Sequence, residues 1–259
     1  MKKLIYLIAL LPLFTSCEDI GEDDRYIETG PVEVSRKVLL EEFTGQRCTN
    51  CPDAHKIIES LEAQYGDNLI AVSIHAGNFG VKAPAGLKQE EGDIYANHWK
   101  IPAYPMGVID RNSGVMGMND WASVIRKDLE SSTDLELSLE AQVSEDGSNI
   151  EVFTTMVGPD NLSGSLQLWV VESNIVAFQI NGSVTLQDYV HNNVFRTCVN
   201  GIWGEEIPLT ANVVKYVSNT VAIDEKWNLE NTAIVGFYYN DSGVIQVDRC
   251  SVKLADMAD

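Results

Sequence analysis

Cys48 and Cys51 stand three residues apart, between an apolar run over residues 38–43 and a helix-like pattern that opens at Pro52. No other feature constrains the chain as strongly. One helical turn brings the two sulfurs within reach of each other, an arrangement suited to reversible thiol–disulfide exchange. The helix N-terminus favours a thiolate on the first cysteine, so Cys48 is expected to be the exposed, more acidic thiol and Cys51 the buried one. Pro52 is well tolerated in a first helical turn. Arg47 either favours the Cys48 thiolate by its charge or is a solvated surface residue.

Periodicity divides the chain near residues 131–133. Before that point strand-like and helix-like patterns alternate. Residues 38–43 read as a strand, and Ala54, Ile57, Ile58, Leu61 and Tyr65 recur at helical spacing before a stop at Gly66. Residues 69–74 read as a buried strand. An irregular stretch follows, with a short helix expected over 93–99. A strand over 106–110, a turn at 111–114 and a helix bearing Trp121, Val124, Ile125 and Leu129 complete this half, with Asn119 or Asp120 as the expected cap. A mixed sheet with helices on both faces suits that order. From Leu135 onward the period is two: Leu135, Leu137, Leu139, Ala141 and Val143 alternate with polar residues. Asp146-Gly147 marks a tight turn. Strands are expected over 150–157, 166–172, 213–217, 233–239 and 244–254, the last two joined at 241–243, and no helix. The fold class expected is an α/β thioredoxin-like domain (35–132) followed by an all-β antiparallel, immunoglobulin-like sandwich (133–259).

The N-terminus reads as a leader. Residues 1–3 are a basic opening, and the short apolar run that follows is broken by Pro12 and too short for a permanent membrane span. Thr15-Ser16-Cys17 then resembles a bacterial lipoprotein signal, with Phe14 where leucine is usual. Residues 1–16 are therefore the expected signal peptide and Cys17 the lipidated residue; the alternative is an ordinary secretory peptide with a chance cysteine. Residues 17–34 carry an acidic run, expected as a flexible tether, which resembles the surface-export signal of Bacteroidetes lipoproteins. Membrane attachment is expected through this N-terminal lipid.

Losing Lys2 and Lys3 with the leader would leave 16 basic against 38 acidic residues, a net charge of −22. A basic nucleic-acid footprint is absent. Of five cysteines, Cys48, Cys51, Cys198 and Cys250 remain after Cys17. An even number in an exported chain suggests two disulfides, so Cys198 and Cys250 are expected to pair; two buried free thiols are the alternative.

The segment from residue 38 to 129 resembles the thioredoxin superfamily in three respects. These are the strand–Cys-x-x-Cys–helix order, Glu42-Phe43 six positions ahead of Cys48, and Tyr104-Pro105 before a strand. The resemblance implies that Glu42 relays protons and that Pro105 is a cis proline packed against the cysteines, serving as a platform for a substrate strand. Two departures stand out: Arg47 replaces the usual tryptophan, and Thr49-Asn50 replaces the Gly-Pro of reductases. The whole mature chain resembles the twenty-eight-kilodalton outer-membrane lipoproteins of Bacteroidetes. The Phe43-Thr44-Gly45-x-x-Cys-x-Asn-Cys-Pro block and the segment 189–196, YVHNNVFR, carry that likeness. It implies a cell-envelope, outer-membrane, lipid-anchored protein.

Two function classes follow. One is an envelope thiol–disulfide oxidoreductase acting on exported protein thiols or with an envelope redox partner: Cys48 the nucleophile, Cys51 the resolving thiol, Glu42 and Pro105 in support. The other is a surface binding or adhesion lipoprotein in which Cys48–Cys51 is a permanent staple, since fold does not fix function. No cofactor is implied. His75, expected on the cysteine side of its strand, is either an acid/base auxiliary or a local hydrogen-bonder. His55 with the two cysteines makes three soft ligands and no fourth, so no metal is expected. His191 falls in an Asn-rich stretch read as a loop.

Overall fold

In the computed structural model, which describes residues 34–254, the apolar run ahead of the cysteines is strand β1 (Val38–Thr44), buried along its whole length. Helix α1 (Cys51–Tyr65) follows, with Pro52 and Asp53 in its first turn and Ala54, Ile58 and Leu61 on its buried face. Gly66, at φ 56°, ends it. Strand β2 (Leu69–His75) lies parallel to β1, with Glu42 opposite Ser73 and Thr44 opposite His75. Helix α2 (Glu90–His98) places acidic residues in its first turn and His98 in its last, as its dipole favours. Strand β3 (Met106–Ile109) runs antiparallel to β1, β4 (Val115–Met116) pairs with β3, and α3 (Met118–Leu129) buries Trp121 and Ile125. The cap position of α3 is Gly117, with no side-chain cap; Asn119 and Asp120 fall inside the first turn instead.

The period-two segment becomes β5 (Glu136–Val143) and β6 (Asn149–Val157), joined at Gly147, whose φ is 72°. Next come β7 (Ser165–Glu172), β8 (Ile175–Asn181), β9 (Val184–His191), β10 (Val194–Cys198), β11 (Glu205–Glu206), β12 (Lys215–Ala222), β13 (Thr232–Asn240) and β14 (Gly243–Lys253). After residue 133 the described chain contains a single 3₁₀ turn, Leu229–Asn231, and no α-helix.

The fold is mainly β, built on one mixed sheet of twelve strands in the order β12-β6-β5-β14-β13-β7-β10-β2-β1-β3-β4, with β11 added to β7. β8 and β9 form a separate hairpin. The period change near residue 133 therefore does not divide the sheet. β10 reaches back and joins β2 in parallel at Val194–Ser73, beside a bond from the Ser73 N–H to the Asn193 carbonyl (2.8 Å). The described residues fall in one compact unit, and one apolar cluster mixes residues from both sides of residue 133.

Three apolar clusters fill the layers. Helices α1 and α3 cover one face of β1, β2 and β3 through Leu40, Ala54, Ile58, Trp121 and Ile125. On the other face Leu39, Phe43, Val72 and Tyr95 pack with Trp169, Phe195, Val235 and Phe237. Leu168, Val170 and Ile234 look the opposite way, onto Leu137, Leu139, Ala141, Val152 and Met156. β7 and β13 are thus buried on both faces, which accounts for their continuous apolar runs. Arg111 pins the first half to the second. Its Nε lies 2.6 Å from Glu41 Oε1. Around its guanidinium stand Tyr95, Trp169, Trp203, Phe237 and Tyr239, at 4.7 to 5.9 Å from the ring centroids.

Cys198 and Cys250 are both free, against the expected disulfide. β7 and β13 lie between their strands. Three strand spacings put them about 14 Å apart, twice the reach of a disulfide. They also pack on opposite faces, Cys198 beside Trp169 and Cys250 against the β5–β6 layer. Burial pushes their thiols up to about 11 and about 12 respectively. Both were expected in strands, and both are; sequence separation alone does not reveal which strands are neighbours.

Candidate functional site

The pleat of β1 sends Leu39, Glu41 and Phe43 to one face and Leu40, Glu42 and Thr44 to the other. Glu42 is fully buried beneath α1. Its Oε2 accepts a hydrogen bond from Ser73 Oγ (2.7 Å), and its Oε1 lies 3.3 Å from His55 Nε2 as an ion-pair contact. His55 is one helical turn beyond Cys51. Its Nε2 also lies 3.1 Å from Thr44 Oγ1, and its Nδ1 is 2.7 Å from the Tyr189 hydroxyl. Burial, the largest single influence, disfavours a charged His55, but the Glu42 carboxylate's charge and hydrogen bond together with Glu59 raise the pKa above its ordinary value.

His75 and His191 complete the cluster. Their rings meet edge to face at 5.3 Å, and His191 is 6.4 Å from His55 and 4.8 Å from Tyr189. Both are about 2% exposed, and none of their four ring nitrogens makes a hydrogen bond in the protein. Near His191 the Ala177 and Phe178 backbone is close but lies outside hydrogen-bonding geometry. Burial, then neighbouring histidines, holds His75 well below its ordinary value; the same causes push His191 down to about 4. A void of about 20 Å³, room for one water, is lined by His55, His75, Tyr189 and His191. His191 therefore ends a strand inside a cluster, where the sequence suggested a loop. Its neighbours come from β2, α1 and β9, which no local pattern links.

Cys48 and Cys51 form a disulfide. Their expected difference in exposure is absent: Cys48 is 2% exposed and Cys51 is 0%. The reason is a cover. Gln179, fully buried on β8, donates from Nε2 to the carbonyls of Cys48 (2.9 Å) and Gly45 (3.3 Å). The Ile180 N–H donates to the Gln46 carbonyl (2.8 Å) and the Gly182 N–H to the Thr49 carbonyl (3.2 Å). From the other side the Arg47 N–H donates to the Phe79 carbonyl (3.0 Å) and the Leu87 N–H to Gln46 Oε1 (3.0 Å). Gly45 permits this approach, since a Cβ there would sit 2.4 Å from the Phe79 carbonyl carbon. Arg47 itself is exposed.

Tyr104–Pro105 is cis and directly precedes β3, where Met106 pairs with Phe43. His75 ends β2 as expected, facing His191. Glu42, Cys51 and His55 are brought onto the α1 side of β1. Cys17, the 1–16 leader and tether residues 17–33 lie outside the described residues. Among the described residues no group of three or more His, Cys, Asp or Glu side chains is arranged to hold a metal ion. No described helix is long and apolar enough to cross a membrane. Sequence reasoning missed the hairpin cover and the His55–His75–His191–Tyr189 grouping. The alternation Val184, Leu186, Tyr189 was too irregular to mark a strand.

Among solved structures, HBP35 of Porphyromonas gingivalis is similar over 87% of this chain and 79% of that one, at 15% identity and a TM-score of 0.69. A protein from Agrobacterium tumefaciens is similar over 88% of this chain and 98% of that one, at 12% identity and a TM-score of 0.52. These likenesses are of fold alone. A domain of the outer membrane lipoprotein Omp28 from Porphyromonas gingivalis aligns at 22% identity over 47% of this chain and 90% of that one, with a TM-score of 0.36. No curated protein matches the chain. The outer membrane protein Omp28 family matches residues 92–255, from within α2 to the end of β14, leaving the cysteine segment outside the match. That match spans well over half of the sequence, and the chain belongs to the Omp28 family of outer membrane proteins.

Proposed function

We propose that this protein is a surface-exposed, outer-membrane binding or adhesion lipoprotein in which Cys48–Cys51 is a structural staple. The observation that carries this reading is the burial of both cysteines beneath the β8–β9 hairpin. A thiol that exchanges disulfides with protein substrates needs an accessible, acidic sulfur, and here the Cys48 carbonyl is itself occupied by Gln179. Cys17 would carry the lipid, and residues 17–34 would tether the folded unit to the membrane. The net negative charge favours solubility at the surface and disfavours nucleic acid as a partner. In this reading residues 35–132 keep a thioredoxin-like arrangement as scaffold. The β5–β6–β12 layer packed on β7, β13 and β14 supplies the immunoglobulin-like part.

The runner-up is thiol–disulfide exchange on exported proteins. Glu42, buried beside His55 one turn past Cys51, favours it, since a buried carboxylate there can move a proton. Glu42, His75, Arg47 and Pro105 would then support Cys48 and Cys51.

One assay separates the two. The full mature protein at pH 7.5 is offered glutathione buffers from oxidising to reducing, and the Cys48–Cys51 state is read by mass after quenching. Retention of the disulfide across the series, with no turnover of a model protein disulfide, is expected. Equilibration with the buffers together with turnover would favour the enzyme. Protease treatment of intact cells tests the surface: release of the folded fragment is expected, and full protection would place the protein on the inner face.

A further inference from the structure

The β8–β9 hairpin lies outside the main sheet and is held at two places: by Phe178, Gln179, Ile180 and Gly182 on the cysteine loop, and by Tyr189 and His191 on the histidine cluster. Among the residues of β8 only Gln179 is buried, and on β9 only His191. At the cysteine loop Gln179, Ile180 and Gly182 donate to the carbonyls of Cys48, Gln46 and Thr49, and the Phe178 carbonyl accepts from Gln46 Nε2; at the other place the Tyr189 hydroxyl lies 2.7 Å from His55 Nδ1. His191 holds by packing alone, edge to face on His75, with no hydrogen bond from either ring. A neutral imidazole pair pays only for leaving its ring nitrogens unpaired. A charged one costs far more, because each proton brings a buried cation against another ring that also accepts protons.

We propose that His75 and His191 form an acid-sensitive latch: neutral, they hold the β8–β9 hairpin over the Cys48–Cys51 disulfide, and protonated, they release it. The groups facing the pair come from every surrounding element. Glu42 stands on β1, with His55, Glu59 and Glu62 on α1, Tyr189 on β9 and Arg196 on β10. Glu42 is already engaged by Ser73 and His55. His55 and Arg196 both oppose a further positive charge on His75. Release frees His191 to titrate at its ordinary value near 6.5, against about 4 when latched. Linkage then makes opening roughly 30-fold more favourable at pH 5.0 than at pH 7.5 from this residue alone. Segments held by few buried contacts are the ones that open locally.

The test is the rate at which tris(2-carboxyethyl)phosphine reduces the disulfide of the full mature protein at pH 7.5 and 5.0. Each rate is divided by that of a Cys-x-x-Cys peptide spanning residues 45–54, which removes the reagent's own pH dependence. A rise of about 30-fold or more on acidification is expected in the wild type and a rise smaller by about that factor in His191→Gln, which keeps His75; Gln179→Ala should be reduced faster at both pH values and keep the rise. Hydrogen exchange, corrected for intrinsic rates, should increase over 175–191 while β7 stays protected. This reading needs no variant and stands should His191→Gln fail to fold. A flat wild-type ratio, an undiminished rise in a folded His191→Gln, or loss of β7 protection together with the hairpin would overturn the latch. The glutathione assay at pH 7.5 is unaffected by any of these outcomes.

Discussion

Arg111→Met removes a cation enclosed by five aromatic rings and leaves the Glu41 carboxylate buried with no counter-charge. Arg111 and Glu41 side chains are 4% and 0% exposed, so solvent neither screens the pair nor rescues the survivor. Breaking one partner of such a pair costs about 3–5 kcal/mol. Contact with the rings contributes on the order of 2 kcal/mol when desolvated, part of which methionine recovers by packing. A loss of about 4 kcal/mol is expected, and the urea midpoint should fall by roughly 1.3 M for a slope near 3 kcal/mol/M. Because Arg111 and Tyr95 come from the first half and Trp169, Trp203, Phe237 and Tyr239 from the second, one transition should shift as a whole. Tryptophan fluorescence and far-UV circular dichroism, followed together through the titration, report it. The double variant Arg111→Met with Glu41→Gln should recover part of the loss by removing the orphan charge. A cost below about 1 kcal/mol, or two separate transitions of which only one moves, would refute the reasoning.

Other expectations follow from the same geometry. Denatured, unreduced mature protein should show two titratable thiols, Cys198 and Cys250, which react slowly in the native state at pH 8; fewer than two in the unlipidated protein would restore the disulfide rejected above. Gly45→Ala should cost about 1–3 kcal/mol by forcing the Phe79 backbone away, and it should raise protease sensitivity within residues 77–88; an unchanged melting temperature would contradict the contact. For global stability the His191 sign is fixed: its folded pKa lies below the unfolded one, so its contribution is full above about pH 6.5 and is lost as pH falls toward 4. His55, raised, works in the opposite direction. Relative to His191→Gln, the wild type should therefore lose about 2 kcal/mol between pH 7.5 and 5.0 by urea denaturation; an equal pH response in the two proteins would contradict it.

Local pattern carried much of the first half. Pro52 and Gly66 bracket α1 where spacing put it, and the 69–74 run is β2 with one residue added. The Leu135–Val143 alternation gave β5, with Asp146-Gly147 as its turn. What local pattern could not give was which strand lies beside which. β10 has five residues and no alternation, yet it joins the two halves through Val194. The candidate site divides in the same way. Cys48, Cys51 and Glu42 were legible because they fall within one strand–helix unit. His191 and Gln179 were not, because their roles depend on a hairpin folding back over more than a hundred residues. Arg111, read as a turn residue, owes its burial entirely to aromatic partners from distant strands.

The seam at Val194–Ser73 has a consequence for the order of assembly. Until residue 194 is available, β2 presents an unpaired edge, and Leu39, Phe43 and Val72 have no cover from Trp169, Phe195 or Phe237. A nascent or truncated chain ending near residue 132 would carry an open strand edge next to an apolar face, the combination that recruits other chains. Closure at such long sequence separation is entropically slow. The first half must therefore wait, unfinished, for a five-residue strand made some sixty residues later, and over that interval the β2 edge is the surface a chaperone would have to shield.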